Sequence, residues 1–284
     1  MSLRIRTVSE RCKVPSATLR MWERRYGFPS PDRTGTNYRA YNEHDVEQIL
    51  RVKALLDEGL SVSEAITRVR SAPTASISAE GVKRLRDEFF RAAKAMLEGE
   101  VENATKLASQ GLPPWEFCQQ FALPVFSVIC DHLDIAQEHM ASSILRQHMR
   151  QVLSLLPAAT VDRTFVLACP RGDEHEGGLL AVAIRLRVLG QGVVVLGANT
   201  PASAIGAACE QRDVCAVGLS FVEPRTEAEL TEIIVEVRKV CRDVPVFVGG
   251  PVARKQLRAV FAAGATYAES ADEMLESLIQ ASTP

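Results

Sequence analysis

From about residue 162 onwards, short apolar runs rich in β-branched residues alternate with amphipathic stretches of helical length. This alternation favours a parallel sheet, because each crossover helix returns the chain to the same edge and covers one face of the sheet. The predicted strands are Thr164–Cys169, Val193–Ala198, Cys215–Ser220, Val244–Val248 and a short one at Thr266–Tyr267, with helices over 178–189, 201–211, 226–241, 252–263 and 270–281. Ligands bind beyond the carboxyl ends of such strands, so the loops that follow the strands are candidate sites.

Three domains are expected from the change of pattern along the chain. The small polar residues of 71–81, SAPTASISAEG, interrupt helical periodicity on both sides and predict a linker. Beyond it, apolar residues recur at helical spacing in four stretches, which predicts a four-helix bundle, with a kink or break at Pro124. We therefore expect a helical head at 1–75, a bundle at 79–157 and a Rossmann-like, flavodoxin-like α/β domain at 160–284.

The composition also limits the class of protein. No run of eighteen or more apolar residues occurs, and no apolar segment of signal-peptide length follows the basic N-terminus. We therefore expect a soluble, cytoplasmic protein with no membrane partner. The seven cysteines include no Cys-x-x-Cys pair, which favours free thiols in a reducing compartment over a zinc site or a disulfide framework.

Charge is distributed unevenly. Residues 1–39 carry nine basic and three acidic side chains, a balance of +6, whereas the rest of the chain holds 24 basic and 32 acidic ones. A basic head on an acidic body is the layout expected when one end of a protein meets a polyanion, although a solvated charged surface would look the same.

The basic head has the spacing of a helix-turn-helix. Thr7–Cys12 predicts a short helix, Lys13-Val14-Pro15 a turn, and Ser16–Tyr26 a second helix with Ser16 as its N-cap. Leu19 and Trp22 share one face of this helix and are predicted to be core residues. The segment FPSPDRTGTNYRAY, punctuated by prolines and a glycine, predicts a short hairpin or wing.

The segments TLRMWERRYGFPSPDRTGTNYRAY and DVEQILRVKALLDEGLSVSEAI closely resemble the winged helix-turn-helix domain of MerR-family regulators. The resemblance implies double-stranded promoter DNA as a partner, bound by a protein that reads a pseudo-palindromic site as a dimer. The helix geometry and the resemblance together give these candidate DNA-contacting residues: Ser16, Thr18, Arg20, Arg24, Arg25, Asn37, Tyr38 and Arg39.

The loop after the first predicted strand of the α/β domain reads Asp173-Glu174-His175-Glu176-Gly177-Gly178. Asp-x-His-x-x-Gly on such a loop resembles the signature of the cobalamin-binding domains of methionine synthase and the B12-dependent mutases. A neutral imidazole at His175 is a good cobalt ligand, and the carboxylate of Asp173 can accept the proton of its second nitrogen. Gly178 leaves room for the cofactor's nucleotide tail. The alternative, a helix-capping surface histidine, stays open.

Two further loops agree with this prediction. The runs Gly218-Leu219-Ser220-Phe221-Val222 and Val248-Gly249-Gly250-Pro251 stand where that family has a Ser-x-Leu or Ser-x-Thr motif and a Gly-Gly pair. The resemblance implies that Ser220, Val222, Gly249 and Gly250 line the cavity for the tail.

The order of MerR head, bundle and cobalamin domain resembles the CarA/CarH family of B12-dependent repressors of carotenoid genes. The family implies adenosylcobalamin or methylcobalamin, covered on its upper face by the bundle through a motif of Trp, nine residues, then Glu-His. Glu138 and His139 match this motif, and Ile135 is a further candidate contact, but Val128 stands in place of the tryptophan and Ile129 in place of a light-adduct histidine. Direct light sensing is therefore not expected, and Glu138 and His139 could also be a plain exposed pair.

The sequence is nearer to the CarA branch, in which an antirepressor protein contacts the DNA-binding domain. The leading hypothesis is a repressor whose homo-oligomer, a dimer or tetramer, is promoted by cobalamin. Two alternatives remain: a regulator controlled only by an antirepressor, and a corrinoid-dependent enzyme or methyl carrier. An enzyme is disfavoured, because the chain has no room for a substrate barrel of about 250 residues.

Overall fold

The computed structural model describes residues 3–33, 39–41, 43–57, 59–71, 77–161 and 163–281. The chain divides into two compact units, Met1–Thr74 and Ala75–Pro284. Much of the predicted linker, residues 72–76, lies outside the described part. None of the described helices is long and apolar enough to span a membrane.

The first unit is a small helical domain with a hairpin. Its elements are α1 (Ile5–Cys12), α2 (Ser16–Tyr26), β1 (Asp32–Arg33), β2 (Arg39–Ala40), α3 (Glu43–Asp57) and α4 (Val62–Ser71), with β1 and β2 antiparallel. Leu19 and Trp22 are buried in its core at 0% and 2% exposure, as predicted. The N-cap prediction for Ser16 was wrong: Pro15 holds that position, and Ser16 is the first helical residue.

The second unit begins with the helix bundle. Its elements are α5 (Ala79–Lys94), α6 (Glu98–Gly111), the short α7 (Pro114–Phe117), a π-helical turn (Cys118–Ala122), α8 (Leu123–His132) and α9 (Ile135–Leu155). The irregularity predicted at Pro124 is this π-helical turn, which directly precedes α8. Proline has no N–H to donate to the preceding turn, and a widened turn is one way in which a helix accommodates that loss. Asp134 and Gln137 form a capping box that begins α9.

A five-stranded parallel sheet completes the second unit. The strands are β3 (Thr164–Pro170), β4 (Gly192–Thr200), β5 (Val214–Ser220), β6 (Val246–Gly249) and β7 (Thr266–Tyr267), in the order β4-β3-β5-β6-β7. The helices are α10 (Gly177–Val188), α11 (Ala202–Glu210), α12 (Glu227–Cys241), α13 (Pro251–Lys255), α14 (Leu257–Ala262) and α15 (Ala271–Ala281). All five predicted strands are present. The single helix predicted over 252–263 is two helices, which meet at Gln256, where the backbone leaves the helical region (φ −125°, ψ 38°).

The bundle and the sheet share a hydrophobic core. Leu180, Ala181 and Ile184 of α10 pack within the cluster of buried residues that fills the bundle. Consequently α10 is covered on one side by the bundle and on the other by the sheet, and the loop that begins α10 lies where the two parts meet.

Candidate cofactor site and nucleic-acid interface

The loop between β3 and α10 is tied to the loop after β5 by one carboxylate. Asp173 is fully buried, and its Oδ1 accepts a hydrogen bond from the backbone N–H of His175 at 3.2 Å. Its Oδ2 accepts the backbone N–H groups of Val222 at 2.6 Å and Glu223 at 2.9 Å, and an Nη atom of Arg225 lies 3.6 Å away. Asp173 therefore fixes the position of the loop after β3 relative to the loop after β5.

His175 presents an imidazole beside two carboxylates. Its Nδ1 is buried and has no hydrogen-bond partner among the described residues. This nitrogen lies 3.1 Å from Oε1 of Glu223 and 3.8 Å from Oδ1 of Asp173. The side chain as a whole is 44% exposed, so its exposed surface belongs to its other atoms. An imidazole with one nitrogen turned to carboxylates and its opposite edge exposed is suited to metal ligation through Nε2.

A cavity of about 230 Å³ opens next to this loop. Its lining includes all five residues that the sequence assigned to the tail of the cofactor: Gly178, Ser220, Val222, Gly249 and Gly250. Much of the remaining lining is apolar. The cavity therefore offers an apolar slot, with Ser220 to hydrogen-bond a bound group.

The glycines that line this cavity are needed for different structural reasons. A Cβ on Gly178 would meet no atom within 4 Å, so this position borders open space. A Cβ on Gly218 would lie 2.6 Å from Leu167, and Gly250 has φ +95°, a conformation that side chains other than glycine rarely adopt. The cavity thus depends on glycines that leave its wall free of side chains, and on the backbone conformation of Gly250.

The bundle closes one wall of the cavity through Trp115 and Leu123. Arg185 of α10 lies over the ring of Trp115, with its Cζ 5.4 Å from the ring centroid, and donates two hydrogen bonds to Asp272 at 2.8 and 3.0 Å. These hydrogen bonds raise the pKa of Arg185 and lower that of Asp272. The pair holds Trp115 in position from the sheet side.

The residues predicted to cover the upper face of a cofactor lie on α8 and α9. Ile135 is 78% exposed at the start of α9, and in the next turn the side chain of His139 is exposed while that of Glu138 is mostly buried. Partial burial raises the pKa of the nearby Cys130 thiol, which Glu138 and Glu223 raise further.

Val128, which the sequence assigned to the cofactor cover, lies on α8. This residue lines a groove between α5 and α8 with Phe90 and His132. The α8 side chain that packs at the start of α10 is Phe126, since a Cβ on Gly177 would lie 2.6 Å from the Phe126 ring. Phe126, two residues earlier on the helix, is on a different face from Val128, and the assignment of Val128 to the cofactor cover stays a prediction.

A second carboxylate of the loop binds the bundle. Glu176 is 9% exposed and accepts a hydrogen bond from Arg150 of α9 at 2.6 Å and one from the backbone N–H of Ala198 at 2.8 Å. The residue that follows the histidine therefore connects the loop to a bundle helix. Neither Glu176 nor Glu223 was singled out from the sequence, although both are carboxylates within three residues of predicted site residues.

The residues predicted to contact DNA lie mainly on α2 of the first unit. Arg20, Arg24 and Arg25 are exposed, and Ser16 and Thr18 are partly exposed. Since residues four apart on a helix are one turn apart on the same face, Arg20 and Arg24 present two positive charges in line.

The wing is attached to α2 by an ion pair that the sequence did not predict. Nε of Arg39 donates to Oε2 of Glu23 at 2.6 Å, and this hydrogen bond raises the pKa of Arg39. Part of the Arg39 guanidinium is thus engaged within the protein. The other two wing residues predicted to contact DNA, Asn37 and Tyr38, lie outside the described residues.

The two family models that match this chain each cover a part of a different unit. Residues 3–71 match the family model described as MerR HTH family regulatory protein, and residues 163–278 match the B12 binding domain. The chain is 43% identical over 277 residues to the HTH-type transcriptional repressor CarA of Myxococcus xanthus, covering 97% of this chain and 96% of that protein. The chain belongs to this repressor family. It is also 33% identical to the HTH-type transcriptional repressor CarH of the same organism, over 88% of this chain and 89% of that protein.

Among solved structures, the monomethylamine corrinoid protein of Methanosarcina barkeri aligns with a TM-score of 0.55 at 18% identity. The alignment covers 72% of this chain and 100% of the corrinoid protein, which shows that the two share a fold. The family membership confirms the predicted fold class, with its MerR-type head and Rossmann-like B12-binding domain. It equally confirms the prediction of a B12-dependent DNA-binding regulator as the general function.

Proposed function

We propose that this chain is a transcriptional repressor that binds promoter DNA through α2 and its wing and holds cobalamin through His175. Its cofactor is adenosylcobalamin or methylcobalamin, and its targets are genes of the carotenoid type, as for the CarA/CarH relatives. The observation that carries the proposal is His175, whose buried Nδ1 lies near carboxylates, three residues before Gly178 of the glycine-lined cavity.

The described residues fit the group that the family implies. Bound cobalamin would supply a cobalt ion, and an imidazole nitrogen of the chain would hold it. His175 would offer that nitrogen, Asp173 would fix the loop that bears it, and the cavity past Gly178 would accept the base of the nucleotide tail near Ser220. These residues bind and orient the cofactor, and the proposal gives none of them a catalytic role.

The oligomer is the second part of the proposal. Cobalamin favours one assembly, a dimer or tetramer, over the free chain, and the DNA affinity rises because two heads then bind two half-sites. Such coupling requires a free-energy difference of about 1–3 kcal/mol between the states. A protein antirepressor that contacts the head would oppose it.

The test uses the full chain with each form of cobalamin. We expect the wild-type protein to give the absorbance spectrum of histidine-ligated cobalamin and to shift operator DNA more strongly in its presence. His175→Ala is expected to lose that spectrum and the cobalamin response while the head still binds DNA. Tight binding with an unchanged spectrum in His175→Ala would refute the ligand assignment and favour control by a partner protein alone.

A further inference from the structure

The bundle contributes an aromatic side chain to the cavity of the cofactor domain. Trp115 of α7 lies in the cavity wall together with Leu123, the first residue of α8. We propose that Trp115 is a specificity-determining residue, which makes the chain prefer a corrinoid with a benzimidazole base over one with a purine base. The inference rests on the proposed function, because it concerns the base of the nucleotide tail that the cavity would accept.

The wall of this cavity is mostly apolar. Apart from Trp115, its polar side chains are Ser220, Glu269 and Ser270. The carboxylate of Glu269 accepts a hydrogen bond from Arg254 at 2.9 Å, and the hydroxyl of Ser270 accepts one from the backbone N–H of Glu273 at 3.2 Å. Ser220 is therefore the side chain best placed to bind a ring nitrogen of the base.

The two classes of base differ in the number of polar groups that they would bury. Each has a free nitrogen in its five-membered ring, which one hydroxyl can bind. The six-membered ring of a benzimidazole has a hydrocarbon edge, whereas that of adenine carries two ring nitrogens and an amino group. A polar group that is buried without a partner costs about tenfold or more in affinity. A closed apolar wall therefore favours the benzimidazole.

Trp115 is held in place on the cavity wall. Cζ of Arg185 lies 5.4 Å from its ring centroid, and this guanidinium is bound in turn by Asp272. The indole also packs against the buried residues of the bundle, yet it remains partly exposed. Its removal would therefore admit water to the cavity, and water can satisfy the polar groups of a purine. The preference for a benzimidazole should then fall.

The experiment titrates the full-length protein with hydroxocobalamin, with its adenine-base analogue and with cobinamide, which lacks the nucleotide tail, and follows the absorbance. The quantity of interest is the dissociation constant of the adenine analogue divided by that of cobalamin. Differences between the free corrinoids cancel when this ratio is compared between variants. We expect Trp115→Ala to lower the ratio about tenfold and to leave the affinity for cobinamide unchanged.

Two further variants and a control test the cause of the preference. Trp115→Phe removes the indole N–H but keeps an aromatic wall, so it should keep most of the ratio. Leu123→Asn places an amide in the same wall and should lower the ratio. Phe90→Ala is the matched control, since Phe90 is also a partly buried aromatic that packs against the bundle core but lines a different groove. It should keep the wild-type ratio.

A wild-type ratio in Trp115→Ala would overturn the inference, and Leu123→Asn decides in its place if the melting temperature of the apoprotein shows that Trp115→Ala does not fold. An equal fall of the ratio in Phe90→Ala, or in Trp115→Phe, would also overturn it. Failure of the wild type to bind any of the three corrinoids would instead refute the proposed function.

Discussion

Replacement of Gly178 by leucine should block the cofactor while leaving the fold intact. A Cβ at this position meets no atom within 4 Å, so the substitution itself causes no backbone clash. The longer side chain then extends into a cavity of about 230 Å³. Leucine also favours a helix over glycine by up to about 0.8 kcal/mol, less in a first turn, so the apoprotein should be no less stable than the wild type.

The magnitude follows from the linkage between binding and folding. A ligand present at about 100 times its dissociation constant stabilises the folded state by about 2.7 kcal/mol. For a unit of this size that corresponds to a rise in melting temperature of roughly 5–10 °C. We expect the wild type to show this rise with methylcobalamin and Gly178→Leu to show almost none, with a matching loss in an absorbance titration.

Gly99 provides a matched control. It is the second residue of α6, as Gly178 is the second residue of α10, and a Cβ there also meets nothing within 4 Å. Gly99→Leu should bind methylcobalamin like the wild type. An unchanged affinity and thermal shift in Gly178→Leu would show that the tail does not enter this cavity.

Three further outcomes can be measured. With Val128 and Ile129 in place of the light-sensing residues, operator binding by the adenosylcobalamin-loaded protein should differ little between darkness and green light; a large loss on illumination would contradict this. Arg39→Ala should weaken operator binding and reduce its salt dependence by about one phosphate contact, and Glu23→Gln in the same chain should restore part of the affinity by removing a negative charge beside the DNA; no shift in an operator titration would remove Arg39 from the interface. Burial lowers the pKa of His148, so the unfolded chain binds its proton at higher pH and stability should fall as the pH drops below about 6.5; urea titrations of His148→Gln should lack this component.

The strands and loops of the α/β domain were predictable because their signal is local. A buried parallel strand must be a short apolar run, and the fold places the following loop at the ligand edge. Gly178, Ser220 and Gly249 could therefore be assigned to one cavity from the sequence, although they are far apart along the chain. Leu19 and Trp22 followed from helical period in the same way.

The sequence could not show contacts for which a side chain's direction depends on tertiary packing. A shift of one residue turns a helix position by about 100°, so the motif spacing could not show that Phe126 is the α8 side chain that packs at the start of α10. The Glu23–Arg39 pair and the approach of Glu223 to His175 join residues from different elements. Such pairs have no sequence period, and only the packed structure reveals them.

Control of DNA affinity by a cofactor requires that its binding change the free energy of more than its own loop. The residues directly after His175 meet this requirement, because Glu176 binds Arg150 of α9 and Gly177 packs against Phe126 of α8. The proposed cobalt bond at His175 would therefore fix a loop whose next two residues contact two bundle helices. A half-buried ion pair can contribute about 1 kcal/mol, the scale of a typical allosteric coupling energy. These contacts can thus carry the cofactor's effect to the bundle, which joins the cofactor domain to the DNA-binding head in sequence.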